Sequence, residues 1–149
     1  MTEYEELNAE FKKAVFERTQ NQIPYWNLLG LELLDLKKGW SRLKLSFSEK
    51  LANAGGIAHG GAVFSAADSA VGVALLGMTG SNESISTIEM KINYIRSFNA
   101  GDIFVEAAII HKGRNTALGE AQVTEGNGNL IAIATITYEV IRQSSIEPV

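Results

Sequence analysis

Asp68 is the residue of this chain whose position most clearly points to chemistry. It lies in the middle of residues 62–78, a run dominated by alanine, valine and leucine. A carboxylate buried in such a run is costly unless it is paired or hydrogen-bonded. Either a neighbouring hydroxyl or arginine satisfies it structurally, or it is catalytic, because perturbed titratable groups concentrate at active sites. The run alone leaves both interpretations open.

The segment His59-Gly60-Gly61 stands immediately before this run. A helix that begins here leaves backbone N–H groups unpaired at the positive end of its dipole, and glycines let a ligand approach that backbone closely. Such N–H groups can hold the oxyanion of an attacked carbonyl, although a plain tight turn needs glycines too. The loop matches neither Gly-x-Gly-x-x-Gly nor a P-loop, so a nucleotide-binding fold is not predicted.

The distance between these two features has a consequence for assembly. Asp68 follows Gly60 by eight residues, which is about 12 Å along one helix and too far for one small site. Two such helices packed antiparallel about a two-fold axis would bring Asp68 close to Gly60 of the partner subunit. If both residues act on one substrate, the enzyme is at least a homodimer.

The elements that must position these residues follow from hydrophobic periodicity. A helix with Thr2 and Glu5 at capping-box spacing is expected to end at Pro24, before a loop from Tyr25. The remaining pattern predicts a sheet of consecutive antiparallel strands that covers one side of an apolar helix, with a partner subunit on the other. The predicted segments are helix 3–20, hairpin 29–48, a glycine-rich loop 49–61, helix 61–79 buried on all sides, strands 85–96, 102–111, 115–125 and 130–141, and a polar tail from residue 143.

Composition narrows the class of protein. The chain has 149 residues, 46% apolar and 20% charged, which predicts one domain over residues 1–149. It has no cysteine and two histidines, so disulfides, thiolate chemistry and a metal site are not expected. The net charge of −4 gives no support for a nucleic-acid partner. The acidic start lacks a secretory signal, so a cytoplasmic location is expected. A membrane span over 61–79 is disfavoured by Asp68 and the small residues around it.

The segment from Asn53 to Asp68 resembles a known signature. It follows the pattern N-x-x-G-x-x-H-G-G-x-x-F-x-x-A-D of hot-dog thioesterases of the phenylacetic-acid-degradation (PaaI) type, in the 4-hydroxybenzoyl-CoA thioesterase superfamily. The resemblance extends from about Gly30 to Val140. It implies an α+β hot-dog fold, an antiparallel sheet wrapped around a long central helix, with residues 1–25 as an N-terminal helical extension. The matching positions are Asn53, Gly56, His59, Gly60, Gly61, Phe64 and Asp68.

The resemblance also implies roles for these residues. Asp68 acts as nucleophile or general base on a thioester, and Asn53 positions the water or the carboxylate. The backbone N–H of Gly60 polarises the thioester carbonyl, with His59 close by. The aspartate and the glycine loop come from different subunits, in agreement with the distance along the helix. Thr87 matches the assisting hydroxyl on the following strand, with Ser86 as the nearby substitute.

Coenzyme A, as part of the substrate, needs partners for its phosphates. The pair Gly113-Arg114 resembles the family's Gly-Arg near the nucleotide, and Gly61, Arg96 and Lys112 complete the predicted contacts. The forked donors of arginine suit phosphate. A solvated turn is the alternative for Lys112 and Arg114. No metal or redox cofactor is implied.

Hydrolysis of an acyl- or aryl-CoA to the free acid and CoA is the predicted reaction, carried out by a homodimer or a dimer of dimers. A hot-dog hydratase or dehydratase is a second interpretation, which the gapless spacing disfavours. A non-catalytic acyl-CoA-binding protein is the third, against which Asp68 argues. A Ser65–His59–Asp68 triad is not predicted, because Ser65 lacks the Gly-x-Ser-x-Gly elbow. The acyl group and the choice between covalent and general-base routes stay open.

Overall fold

The computed structural model describes residues 2–144. The predicted polar tail lies outside the described residues, apart from Gln143 and Ser144. The elements, in chain order, are α1 (Ala9–Asn21), α2 (Pro24–Leu29), β1 (Leu31–Lys37), β2 (Trp40–Ser46), a 3-10 turn (Glu49–Leu51), α3 (Gly60–Leu76), β3 (Glu83–Tyr94), β4 (Asp102–Lys112), β5 (Thr116–Glu125) and β6 (Leu130–Arg142).

The six strands form one antiparallel sheet in the order β1-β2-β4-β5-β6-β3. Helix α3 contacts all six strands, so the sheet wraps around it. Small residues make this close approach feasible, since a Cβ on Gly119 of β5 would lie 2.4 Å from Val71 Cγ1 of α3. The predicted α+β architecture, with its central helix and an N-terminal helix, is confirmed.

The prediction that the central helix is buried on all sides is correct only for its C-terminal half. Every residue from Ala70 to Leu75 is buried. Nearer the N-terminus, Phe64 remains 39% exposed and Gly61 is exposed. One stripe of the helix, which includes Asp68, therefore meets solvent because β1 and β3, the two edges of the sheet, do not close over it. No helix among residues 2–144 is long and apolar enough to cross a membrane.

The N-terminal segment differs from its prediction. The capping box at Thr2 is wrong: α1 begins at Ala9, and Asn8 caps it by accepting from the N–H groups of Glu10 (2.9 Å) and Phe11 (3.2 Å). Residues 2–8 are not helical, because they bind the β1–β2 hairpin instead. The Lys38 N–H donates to the Glu5 carbonyl (3.0 Å) and its ammonium pairs with the Glu5 carboxylate (2.7 Å).

The predicted loop from Tyr25 is also wrong, since Pro24 opens a short second helix. Proline suits the first turn of a helix because it has no N–H to leave unpaired. Gly30 ends α2 in the left-handed region, with φ 75°. Two side chains fasten α2 to the central helix: Trp26 Nε1 donates to Ser69 Oγ (3.1 Å), and the Tyr25 hydroxyl lies 2.7 Å from Ser65 Oγ.

Candidate active site

Asp68 lies near the middle of α3 and is held by two hydroxyl groups. Its Oδ1 accepts hydrogen bonds from Thr87 Oγ1 of β3 (2.9 Å) and from the Tyr138 hydroxyl of β6 (2.8 Å). The same Tyr138 hydroxyl lies 2.7 Å from the Asp68 carbonyl oxygen. Oδ2 accepts no hydrogen bond from residues 2–144. The carboxylate is thus fixed through one oxygen, and the other is available to a substrate or a water molecule.

Thr87 reaches Asp68 because β3 contains a bulge. The register with β6 shifts between Thr87 and Glu89, so Ile88 is the extra residue, 57% exposed. Strict alternation would place Thr87 on the face opposite Met90 and Tyr94. A one-residue bulge reverses the alternation, so these three side chains share the face toward α3.

Tyr138 is a site residue that sequence analysis missed. Its position on the inner face of β6 follows the alternation of a core residue, and the side chain is only 5% exposed. Burial, and then the nearby Asp68 charge, raise the pKa of Tyr138 well above its ordinary value, so the hydroxyl remains a donor. The signal that could have found it is the hydroxyl itself, because a buried tyrosine needs a hydrogen-bond partner and Asp68 needs a donor.

The second group of predicted residues surrounds the N-terminus of α3. His59 is the N-cap, and its Nδ1 accepts from the Gly61 N–H at 2.8 Å. Because Nδ1 accepts this hydrogen bond, the ring hydrogen of a neutral His59 is on Nε2. The Gly61 N–H is therefore already used within the chain. The Gly60 N–H, by contrast, donates to no acceptor in residues 2–144, and it lies at the positive end of the helix dipole.

Tyr94 fixes the backbone at Gly60. Its hydroxyl donates to the Gly60 carbonyl oxygen at 2.7 Å, and a Cβ on Gly60 would lie 3.1 Å from Tyr94 Cζ. A cavity of 290 Å³ opens beside this contact and is lined by Gly60, Asn53, Tyr94 and Arg96, among others. The structure thus brings three predicted residues, Asn53, Gly60 and Arg96, to one cavity. Asn53 Oδ1 accepts from the Gly55 N–H (2.9 Å), which orders the loop.

The turn between β4 and β5 carries the remaining predicted residues. Gly113 N–H donates to the Thr116 carbonyl (2.8 Å), and Arg114 is exposed. Lys112 instead pairs with Glu83 at 3.2 Å. A hydrogen bond from the Gly80 N–H, and then Lys112, hold the pKa of Glu83 below its ordinary value. Lys112 is therefore neutralised within the chain, whereas Arg114 has no carboxylate partner among residues 2–144.

The sheet register places this turn at the Asp68 end of the site. Tyr138 of β6 pairs with Thr87 of β3 on one side and with Ala117 of β5 on the other. Thr116, the residue before Ala117, is one residue nearer to the turn. Arg114 therefore lies at the same end of the site as Asp68, whereas Arg96 lines the cavity beside Gly60. Within one chain the two groups stay apart, by the roughly 12 Å that separates Gly60 from Asp68 along α3.

Ser65 does not form a catalytic triad. Its Oγ donates to the Gly61 carbonyl (2.8 Å) and contacts the Tyr25 hydroxyl. The His59 Nδ1 is occupied by the Gly61 N–H. Ser65 therefore connects α2 to α3 and makes no hydrogen bond to His59 within the described residues.

Residues 55–132 of the chain match the thioesterase superfamily. The chain belongs to the thioesterase superfamily. SSO1253 of Saccharolobus solfataricus, a protein with a provisional esterase name, is 38% identical over 122 residues, which cover 82% of this chain and 81% of that protein. The medium/long-chain acyl-CoA thioesterase YigI of Salmonella typhimurium is 27% identical over 143 residues, 86% of this chain and 92% of YigI.

A comparison with solved structures shows that the fold is also shared. The PaaI protein of E. coli superposes with a TM-score of 0.80 at 17% identity, over 92% of this chain and 99% of that protein. The predicted resemblance to hot-dog thioesterases, including PaaI, is therefore confirmed. The predicted class of enzyme, a thioester hydrolase of the thioesterase superfamily, is confirmed as well.

Proposed function

We propose that this thioesterase-superfamily chain hydrolyses acyl-CoA thioesters to a carboxylic acid and CoA, with Asp68 as its reactive carboxylate. The observation that carries the proposal is the clamp on Oδ1 by Thr87 and Tyr138, while Oδ2 has no hydrogen-bond donor in the described part of the chain. From this position Oδ2 either attacks the thioester carbonyl carbon or takes a proton from an attacking water. In both routes the C–S bond breaks, CoA leaves as its thiolate and is then protonated, and water supplies the acid's second oxygen.

The developing oxyanion needs a donor, and the Gly60 N–H of the partner subunit is the one we assign. It has no acceptor among residues 2–144 and lies at a helix N-terminus, where the dipole favours negative charge. Asn53, in the same cavity, is assigned to the attacking water. His59 presents the Gly60–Gly61 turn by capping the helix.

A homodimer completes this site, because the two groups are apart in one chain. The open stripe of α3 and the edge strand β3 form one continuous surface, on which Ile88 is 57%, Tyr94 50% and Phe64 39% exposed. Uncovered edge strands and apolar patches of this kind mark association surfaces. A two-fold axis through the stripe would place each Asp68 beside a Gly60 of the partner subunit. A dimer of dimers remains our expectation for the full assembly.

Phosphate groups of CoA are assigned first to Arg114, whose guanidinium is exposed at the Asp68 end. Arg96, at the Gly60 end, would approach the same substrate from the other subunit. The contributions of Lys112 and Gly61 are expected to be smaller, since Lys112 pairs with Glu83 and the Gly61 N–H with His59. The relative YigI, a medium/long-chain acyl-CoA thioesterase, supports CoA thioesters as the substrate class.

The test is hydrolysis of a panel of acyl-CoAs, followed by capture of released CoA with a thiol reagent. The chain has no cysteine, so it adds no thiol background. Asp68→Ala is expected to lower kcat by about 10²–10⁴-fold, the range for a positioned acid or base. Ser86→Ala, beside Thr87 but outside the clamp, is the matched control and should retain activity. Tight CoA-thioester binding without turnover in the unmodified protein would contradict hydrolysis and indicate a binding protein.

A further inference from the structure

A groove of 740 Å³ lies between α1, the C-terminal half of α3 and the first residues of β3. Its volume lies within the range of about 300–1,000 Å³ typical of small-molecule sites. Three elements line it with apolar side chains. These are Phe11, Ala14 and Val15 from α1, Val73 and Leu76 from α3, and Ile85 from β3.

Along β3 the groove begins two residues from the proposed catalytic clamp. Ile85 precedes Thr87 by two residues, so both side chains lie on the inner face of β3 before the bulge. On α3, Val73 and Leu76 lie about 7.5 and 12 Å farther along the helix axis than Asp68. An acyl chain that runs from a thioester beside Asp68 past Ile85 would enter the groove.

The charges around the groove favour an uncharged occupant. Glu83 lines it, but its carboxylate already pairs with Lys112 at 3.2 Å and Arg142 at 3.1 Å. Arg18, the other charged residue in the lining, is exposed on α1. Burying an occupant with a charge of its own against these apolar walls would be costly. A hydrocarbon chain would gain free energy from the same burial.

The wall formed by α1 is fixed to the body of the protein. Lys12 pairs with Asp35 of β1 at 2.7 Å, and Val15 and Thr19 are buried. On α3 the groove is lined by Val73 and Leu76, and Leu76 lies about 12 Å from Asp68 along the helix axis. A single aromatic ring would fill only the part beside Ile85, whereas a flexible chain can reach Leu76.

We propose that this groove holds the acyl chain, that the substrates are medium-chain or longer acyl-CoAs, and that α1 is the wall that selects for chain length. The inference rests on the proposed thioester hydrolysis and assigns a role to the N-terminal helix. Ala14 is the residue through which it can be tested, because its side chain is exposed and faces the groove.

The experiment measures binding of two non-hydrolysable thioethers, decyl-CoA and methyl-CoA, to the full chain. The unmodified protein should bind decyl-CoA at least about tenfold more tightly, since even one methylene in an apolar pocket is worth that factor. Ala14→Trp fills the groove and should abolish this preference without weakening methyl-CoA binding. Lys13→Trp places the same side chain on the opposite, exposed face of α1 and should keep the preference. Equal binding of both thioethers to the unmodified protein, or an unchanged preference in Ala14→Trp, would overturn the inference.

Hydrolysis of the matching thioesters separates this inference from the proposed function. With decanoyl-CoA and acetyl-CoA as substrates, Ala14→Trp should lose at least about tenfold in kcat/KM for the long chain only. If neither thioester is hydrolysed but the thioether preference disappears in Ala14→Trp, the acyl-chain groove is supported and the proposed hydrolysis is contradicted. If hydrolysis occurs but Ala14→Trp does not change the preference for chain length, the proposed hydrolysis is supported and the acyl-chain groove is contradicted.

Discussion

Asp68 and Gly60 lie on the same helix, but their surroundings differ. Asp68 is held from inside the chain, by hydroxyls of two strands at 2.8 and 2.9 Å. The Gly60 N–H has no acceptor in residues 2–144, while the Gly60 carbonyl accepts from the Tyr94 hydroxyl. The carboxylate is thus held within a single subunit, whereas the proposed oxyanion donor would act only when another molecule covers it. We therefore expect folding of one subunit to position the carboxylate, and assembly of two subunits to supply the oxyanion donor.

The largest expected effect comes from mixing two inactive proteins. Asp68→Asn removes the reactive charge, and Gly60→Pro removes the N–H. Each alone should be inactive, but a mixed dimer contains one site with neither defect. Unfolding and refolding a 1:1 mixture should restore about one quarter of wild-type activity, because half the dimers are mixed and one of the two sites in each mixed dimer is intact. No recovery in mixtures that contain mixed dimers, shown by mass spectrometry, would contradict a shared site.

The second comparison isolates the Gly60 N–H. Gly60→Pro and Gly60→Ala add a similar Cβ against Tyr94, 3.1 Å from its Cζ, but only proline deletes the N–H. Proline is tolerated at the first helical position, and His59 has the extended backbone (φ −62°, ψ 135°) that proline requires before it. We expect kcat of Gly60→Pro to fall about 10²–10³-fold below that of Gly60→Ala. Equal rates would assign the oxyanion to another donor.

Tyr138→Phe tests the Asp68 side of the contrast with a smaller effect. The change removes the hydroxyl and leaves Asp68 with Thr87 as its one side-chain donor. Hydrogen bonds to charged groups contribute about 1.5–3 kcal/mol, so kcat should fall by roughly one to two orders of magnitude. Tyr25→Phe is the matched control, because it deletes a hydroxyl that contacts Ser65 Oγ, outside the Asp68 clamp. A KM effect with unchanged kcat would show that Tyr138 does not position the carboxylate.

The smallest expected effect concerns acid stability at the far end of the groove. The Gly80 N–H and Lys112 lower the pKa of Glu83 in the folded state. Its contribution to stability is therefore complete above the unfolded value of about 4.3 and is lost as pH falls through the lower folded value. Glu83→Gln should lower the melting temperature at pH 7 and flatten its fall below about pH 4.3. Parallel melting curves for both proteins across that range would contradict the assignment.

The sequence was most informative where a motif or a strong periodicity existed. The residues from Asn53 to Asp68 identified the family, and apolar alternation placed the six strands to within two residues. The N-terminal helix started at the wrong residue because Glu5 binds a lysine of the hairpin, a tertiary contact that helix propensity cannot register. Tyr138 was missed because a tyrosine on an inner strand face has the same pattern as any core residue. The bulge at Ile88 was missed because period-two alternation assumes an uninterrupted ladder.

That bulge makes β3 sensitive to insertions and deletions. Thr87 and Tyr94 serve the two separate halves of the site, yet one strand carries both. Inserting one residue between Glu89 and Tyr94 would preserve every residue of the recognised signature and every contact partner, but it would turn one of the two side chains toward the opposite face. Length variation among homologues should therefore be rare between these positions and common in the turns at either end of the strand. An alignment scored by residue identity alone would miss such a defect, since the information lies in the count of residues.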